Sequence, residues 1–189
     1  METLSDEHLV MLSQQGNVGA FNTLSARWEA SLYRFARRAL GNREDARDVC
    51  QEALLRAYLN ITRLRDGQKF KAWVHHIAWN LCRDRFRSRA SHPEVRSFEE
   101  LREGEELGAP ARTDPVGQDA LKRRRRRALQ RILNRLPAEQ RTAILLREYQ
   151  GFTSEEIGEI TGVPAATVRT RIFYGLRSMR RMLQEQGIA

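Results

Sequence analysis

Apolar residues recur along this chain with a helical period, and nowhere do they alternate as a strand requires. Residues 17–40 place Phe21, Leu24, Trp28, Leu32, Phe35, Ala36 and Ala39 on one face, and Gly41-Asn42 breaks the run. Residues 43–61 carry Ala46, Val49, Cys50, Ala53, Leu54, Ala57, Tyr58 and Ile61 at unbroken three-four spacing. A short loop follows, with Asp66-Gly67 as its turn. Residues 69–88 then align Phe70, Trp73, Val74, Ile77, Leu81, Cys82 and Phe86. With a shorter helix near residues 5–15, these make a four-helix unit over residues 1–93. The period stops near residue 91 and resumes at Leu121, through Ala128, Leu129, Ile132, Leu133 and Leu136. Pro137 opens another helix, Gly151 ends it, and two more follow. The pattern predicts an all-α chain of two small helical domains, residues 1–93 and 118–189, joined by a flexible linker over 94–117.

Charge sharpens this division. The 189 residues carry a net charge of +9, distributed as +5 over 1–93, −5 over 94–119 and +9 over 120–189. Two basic blocks flank an acidic strip, and such an excess points to a polyanionic partner. Arginine outnumbers lysine 30 to 3, which suits bidentate contact with phosphates and base edges and is equally the trace of a codon bias. Cys50 and Cys82 lie inside helical patterns without a CxxC or a His/Cys cluster, so they read as small core residues in a reducing compartment. No signal peptide and no apolar run of membrane-spanning length is present. The expectation is a cytoplasmic protein without metal or cofactor.

The segment "TSEEIGEITGVPAATVRTRI" has the grammar of a helix-turn-helix. Thr153 and Glu156 form a capping box, and Gly158 is small where a second helix crosses. Gly162 supplies the positive φ of a tight turn, and Pro164 suits a first helical turn. In such a motif the second helix enters the major groove. Its apolar stripe reads Val168, Ile172, Leu176, Met179 and Leu183, which leaves Thr167, Arg169, Thr170, Phe173 and Tyr174 to face DNA. Arg169 can donate twice to guanine, Phe173 can meet a thymine methyl, and Arg171 and Arg177 lie nearer phosphates. The run Lys122–Arg127 suits phosphate neutralisation or a solvated helix face.

The first unit carries two contrasting surfaces. Asp48, Gln51 and Glu52 cluster off the buried stripe of the 43–61 helix, either as an ordinary solvated face or as a patch for a basic protein surface. On the 69–88 helix, Lys71, His75, His76, Trp79, Asn80, Arg83 and Arg87 fall off the core stripe. An exposed Trp79 among Arg and Asn suits unpaired bases, which stack on rings while guanidinium groups hold the backbone. The alternative buries Trp79 against the first long helix.

"DARDVCQEALLRAY", "FKAWVHHIAWNLCRDRFR" and "LPAEQRTAILLREYQGFTSEEIGEITGVPAATVRTRIFYGLRSMRRML" together resemble bacterial RNA polymerase sigma factors of the extracytoplasmic-function (ECF) group. The likeness covers nearly the whole chain except the linker. It implies that Asp48, Gln51 and Glu52 bind core polymerase at the β′ clamp helices, and that the second domain meets the β flap. It implies single-strand recognition of the minus-ten element by Arg63, Leu64, Arg65, Lys69, Lys71, His76, Trp79, Asn80, Arg83 and Arg87, with a flipped base held between the 63–69 loop and the next helix. It implies duplex recognition of the minus-thirty-five element through Thr167, Arg169, Thr170, Arg171, Phe173, Tyr174 and Arg177. An anti-sigma partner and passage of the acidic linker through the RNA channel are further implications. The loop departs from the common pattern in carrying Leu64 where an aromatic is frequent.

No paired carboxylates, activated nucleophile or Gly-rich phosphate loop suggests catalysis or a small-molecule substrate. The reading is therefore a non-enzymatic sigma factor that selects promoters and helps open them. The alternative is a stand-alone helix-turn-helix regulator that binds duplex operators without polymerase, and a third option is a basic tether with no sequence preference.

Overall fold

In the computed structural model, residues 4–91 and 116–185 are described, and every regular element among them is helical. The helices are α1 (Asp6–Gln14), α2 (Val18–Leu40), α3 (Arg43–Asn60), α4 (Phe70–Ser91), α5 (Val116–Arg135), α6 (Ala138–Glu148), α7 (Ser154–Thr161) and α8 (Ala165–Glu185). Two single 3-10 turns, Ile61–Arg63 and Gly67–Lys69, lead from α3 into α4. The predicted helices are all present. The linker expectation over 94–117 lies largely outside the described residues, although α5 already begins at Val116.

Local chemistry sets the boundaries. Ser5, Asn17 and Asn42 cap α1, α2 and α3 by accepting from the backbone N–H groups of His8, Ala20 and Asp45. Gly41 at φ +76° ends α2, a conformation that a Cβ would strain. Trp28 Nε1 donates to Asp6 Oδ2 at 2.8 Å, which ties α1 to α2.

The helix-turn-helix forms as expected. Thr153 and Glu156 complete a reciprocal capping box at the start of α7, and Gly162 at φ +72° ends that helix. A Cβ on Gly158 would lie 2.7 Å from the Val163 carbonyl oxygen, so only glycine lets the turn close this tightly. Ile157, Ile160 and Val168 are fully buried behind it. The α8 seam differs from the expected stripe. Leu176 is 43% exposed, and Gly175 takes its place, so close to α6 that a Cβ would sit 2.7 Å from Ile144 Cδ1. Val168, Ile172, Gly175 and Met179 follow the true helical period, and the missing side chain brings α8 against α6.

One continuous core runs through both domains. In the first, Phe21, Leu24, Leu32, Phe35, Ala46, Ala53, Phe70 and Val74 interlock; in the second, Ile132, Leu133, Leu145, Leu146 and Ile157 do so. The domains are docked: α7 lies along α4, and α5 and α6 lie on α2. The two expected helical domains are therefore present and in contact with each other.

Gly158→Ala should lower stability by about 1–3 kcal/mol, the usual cost of forcing a methyl into a filled site. Calorimetry of the variant would read this as a depressed melting midpoint; an unchanged midpoint would mean that the turn has slack.

Candidate nucleic-acid interface

The outer face of α8 is free. Phe173 and Tyr174 are 61% and 51% exposed, and their rings meet edge to face at 5.4 Å. Arg169, Thr170 and Arg177 are exposed beside them, and Thr167 and Arg171 are half-buried on its flanks. Thr170 Oγ1 donates to the Ala166 carbonyl at 3.0 Å. Arg169 pairs with Glu155 at 3.1 Å, a solvent-exposed contact of small net worth that leaves the guanidinium free to exchange partners. Rings and donors expected to face DNA therefore share one accessible surface.

The α3 surface extends further than expected. Asp48 and Gln51 are exposed and Glu52 is half-buried. Asp48 lies 3.6 Å from Arg85, and Glu52 accepts from Arg56 Nε at 2.7 Å. One and two turns on, Leu55 and Leu59 are 53% and 68% exposed, which makes an acidic-to-apolar stripe down the helix. Tyr58, expected in the core, is 41% exposed, with its ring 5.0 Å from Phe21. The signal for Leu55 and Leu59 was in the sequence: two leucines four residues apart, off the buried face.

The loop and α4 depart most from expectation. Arg63 and Arg65 point to solvent, but Leu64 is buried. Gln14 Nε2 donates to the Ile61 and Leu64 carbonyls at 3.0 and 2.7 Å, which pins the loop to α1. Leu64 thus faces the core, not a base pocket. Trp79 is only 3% exposed, so it offers no free ring for stacking; it sits beside Phe86, with ring centroids 6.4 Å apart. Arg141 of α6 places its guanidinium 5.2 Å from the Phe86 ring. This second neighbour buries a flank of α4 that one-domain periodicity leaves outside. Lys71, His76, Asn80 and Arg83 are half-buried, and Lys69 and Arg87 are exposed.

Family comparison settles what the two domains are. The sigma-70 region 2 model matches residues 24–92, and the sigma-70 region 4 model matches residues 126–179. The ECF RNA polymerase sigma factor SigW of Bacillus subtilis is 32% identical over 174 residues, covering 91% of this chain and 93% of that protein. The ECF RNA polymerase sigma-E factor of Haemophilus influenzae is 31% identical over 185 residues, 97% of each chain. The chain belongs to the ECF RNA polymerase sigma factors.

Solved structures share the fold. CnrH, in complex with the cytosolic domain of CnrY, superposes with a TM-score of 0.70 at 23% identity, over 95% of this chain and 97% of that one. The sigma factor RpoE of Bartonella quintana, in complex with the anti-sigma factor NepR, gives 0.67 at 23% identity, over 88% and 98%. In this sigma factor, region 2 contains the α3 stripe and the α4 face, and region 4 contains the helix-turn-helix.

Regions 4 and 2 meet at a buried ring cluster: Phe152, 2% exposed, lies with its ring 5.2 Å from the His75 imidazole, and Trp28 and Phe35 meet the same imidazole edge-on. His75 was expected off the core; it is fully buried, and its Nδ1 bonds the Lys71 carbonyl at 2.8 Å. Burial drives its pKa down from 6.5 to about 4; the bond to the Lys71 carbonyl opposes this, the nearby Lys71 charge adds to it, and the Gln150 side chain opposes it. Lys71 Nζ donates to the Gln150 carbonyl at 2.7 Å and lies 4.3 Å from the Phe152 ring. Ser31 Oγ donates to Gln150 Oε1 at 2.6 Å, and Arg38 stacks 4.2 Å from the Tyr149 ring. Among the described residues no cluster of His, Cys, Asp or Glu could hold a metal ion, and no helix is long and apolar enough to cross a membrane.

Because His75 is held neutral in the folded chain, its contribution to stability is complete above pH 6.5 and is lost as pH falls from there through about 4. The full loss is roughly 3 kcal/mol. Denaturant titrations at pH 7 and pH 4 should show His75→Gln losing less stability between the two than the parent chain. Parallel pH profiles would mean that His75 is not held neutral by this pocket.

Proposed function

We propose that this sigma factor binds core RNA polymerase, directs it to a subset of promoters and stabilises the melted strand, without any covalent step of its own. Its work lies in the cytoplasm. The stripe Asp48, Gln51, Glu52, Leu55 and Leu59 docks on the β′ clamp helices: carboxylates steer toward a basic surface, and the two leucines lose water on contact. Region 4 meets the β flap. The α8 face of Thr167, Arg169, Thr170, Arg171, Phe173, Tyr174 and Arg177 reads duplex DNA at the minus-thirty-five element. The loop and α4 donors, Arg63, Arg65, Lys69, Lys71, His76, Asn80, Arg83 and Arg87, hold the minus-ten strand. Trp79 and Leu64 support that face from beneath. An anti-sigma protein is a further partner on this reading.

The observation that carries the proposal is the α3 stripe, left exposed although the two domains are docked. A regulator that binds operators alone has no use for it. Run-off transcription with purified core polymerase decides the matter: initiation at a cognate promoter supports the sigma reading, and tight duplex binding without transcription supports the stand-alone regulator.

Asp48→Arg combined with Glu52→Arg should abolish core binding and leave the helical circular dichroism spectrum intact; full core affinity in the double variant would refute the assigned stripe. Arg169→Ala should cost about 1–3 kcal/mol of discrimination at a single upstream base pair. Equal weakening on every sequence would instead mark a phosphate contact.

A further inference from the structure

The arginine run of α5 belongs to none of the three surfaces assigned above, and it does not stand alone. From Ala30 to Arg43 the sequence has four basic residues and no acidic one. From Ala120 to Pro137 it has eight basic residues and no acidic one. The fold sets these two segments together, since α5 lies on α2. We infer that Arg34, Arg38 and Arg126, with the ring of Tyr149, form a phosphate-binding surface that holds the backbone of duplex DNA without regard to sequence. This surface is separate from the α8 face and from the α4 donors, and it does not draw on the roles proposed for either.

The geometry converges on Arg38. Gln130 Nε2 donates to the Arg38 carbonyl at 3.0 Å, which fixes α5 against α2. Arg126 lies one turn before Gln130, and Arg34 lies one turn before Arg38. The Arg38 guanidinium is half-buried and lies 4.2 Å from the centre of the Tyr149 ring. A guanidinium stacked by its flat face keeps its edge N–H groups for an oxyanion. Burial lowers the Arg38 pKa; Tyr149 opposes this, and the charges of Arg34 and Arg126 add to it. Among the described residues no carboxylate pairs with Arg34, Arg38 or Arg126. Three cations are thus gathered without a counter-charge, and a bound anion would relieve their repulsion.

The chemistry favours nucleic acid over an acidic protein. Protein interfaces have an apolar centre, and the α3 stripe supplies one in Leu55 and Leu59. Beside Arg38 the one large ring exposed is Tyr149, which the guanidinium already covers. Among the described residues α5 exposes no large apolar side chain, and α2 exposes only Val18 at its opposite end. Arg124 and Arg125 are exposed next to Arg126 and extend the positive surface. Interfaces with DNA are of this kind, polar and strongly positive. A duplex carries one charge for about every 1.7 Å of its axis, a denser target for guanidinium groups than a single strand.

Phosphate contacts place a protein on DNA and carry no sequence information. Such a surface gives the chain a salt-sensitive hold on any duplex, and choice among sequences is left to other residues. Arg34 and Arg38 belong to region 2, whereas Arg126 and Tyr149 belong to region 4, so the surface is built from both.

The test uses the full chain without polymerase and a fluorescent duplex of scrambled sequence, titrated by anisotropy over a range of salt concentrations. Arg34→Gln combined with Arg126→Gln removes two exposed charges and should leave the helical circular dichroism spectrum intact. Two lost phosphate contacts should flatten the log–log salt slope by about 2 and weaken binding at low salt roughly tenfold. Arg47→Gln combined with Arg56→Gln removes the same charge from α3 and should keep the parent's slope. An unchanged slope in the first double variant, or an equal change in both, would overturn the inference, the second by pointing to net charge alone. A polyglutamate peptide should bind the parent far more weakly than the duplex does. Peptide binding as tight as the duplex, and lost in the same variant, would mark a protein-docking surface instead and equally overturn it. Preference for a promoter duplex over the scrambled one should be the same in the first double variant as in the parent. Its absence from the parent would count against the α8 reading and leave the phosphate result standing.

Discussion

The burial of the His75 imidazole, met edge-on by Trp28 and Phe35 from one domain and by Phe152 from the other, is the contact on which the arrangement of the two domains depends. It joins two small helical bundles that share little else in sequence proximity. Each bundle alone has a modest core, as expected for units below about 90 residues. The joint core shields more apolar surface than either could. His75 is drawn into that core as a neutral imidazole, and Trp79 is covered with it. The surface character of α4 is thus a property of the pair of domains and not of the helix.

This arrangement separates three surfaces by their chemistry. The α3 stripe is acidic and then apolar, suited to a protein partner. The α8 face is basic and aromatic and stands clear of the fold. The α4 face is basic and is already engaged by acceptors from α7 and the turn before it. On α5, Arg124, Arg125, Arg126 and Arg127 are exposed, while Ala128, Ile132 and Leu133 turn inward. Periodicity alone separates the two sides of that helix.

Much of this was legible from the chain itself. The eight helices follow from apolar spacing, because a helix buries residues three and four apart. The helix-turn-helix followed from Thr153, Glu156, Gly158 and Gly162, each of which answers a local geometric demand. What escaped was long-range. Lys71 meets Gln150 and His76 meets Ile160 across about eighty residues of chain, and no local period records such a pairing. Trp79 and His75 look exposed on a helix drawn with one buried face, and α4 has two. Leu64 reads as a loop residue until Gln14 is seen to anchor its carbonyl. In α8, counting large apolar residues favoured Leu176, whereas the close approach to Ile144 needed the empty position at Gly175.

The two cysteines carry a consequence for the chemical reactivity of the chain. Cys50 and Cys82 are both buried, and burial pushes their thiols up to about 11 and about 12. Neither is a thiolate at neutral pH, and the thiolate is the form that oxidants and electrophiles attack. While the fold is intact, neither cysteine offers such agents a thiolate. Unfolding would expose both sulfurs and return their thiols toward ordinary reactivity, so thiol labelling of this chain reads out loss of the fold.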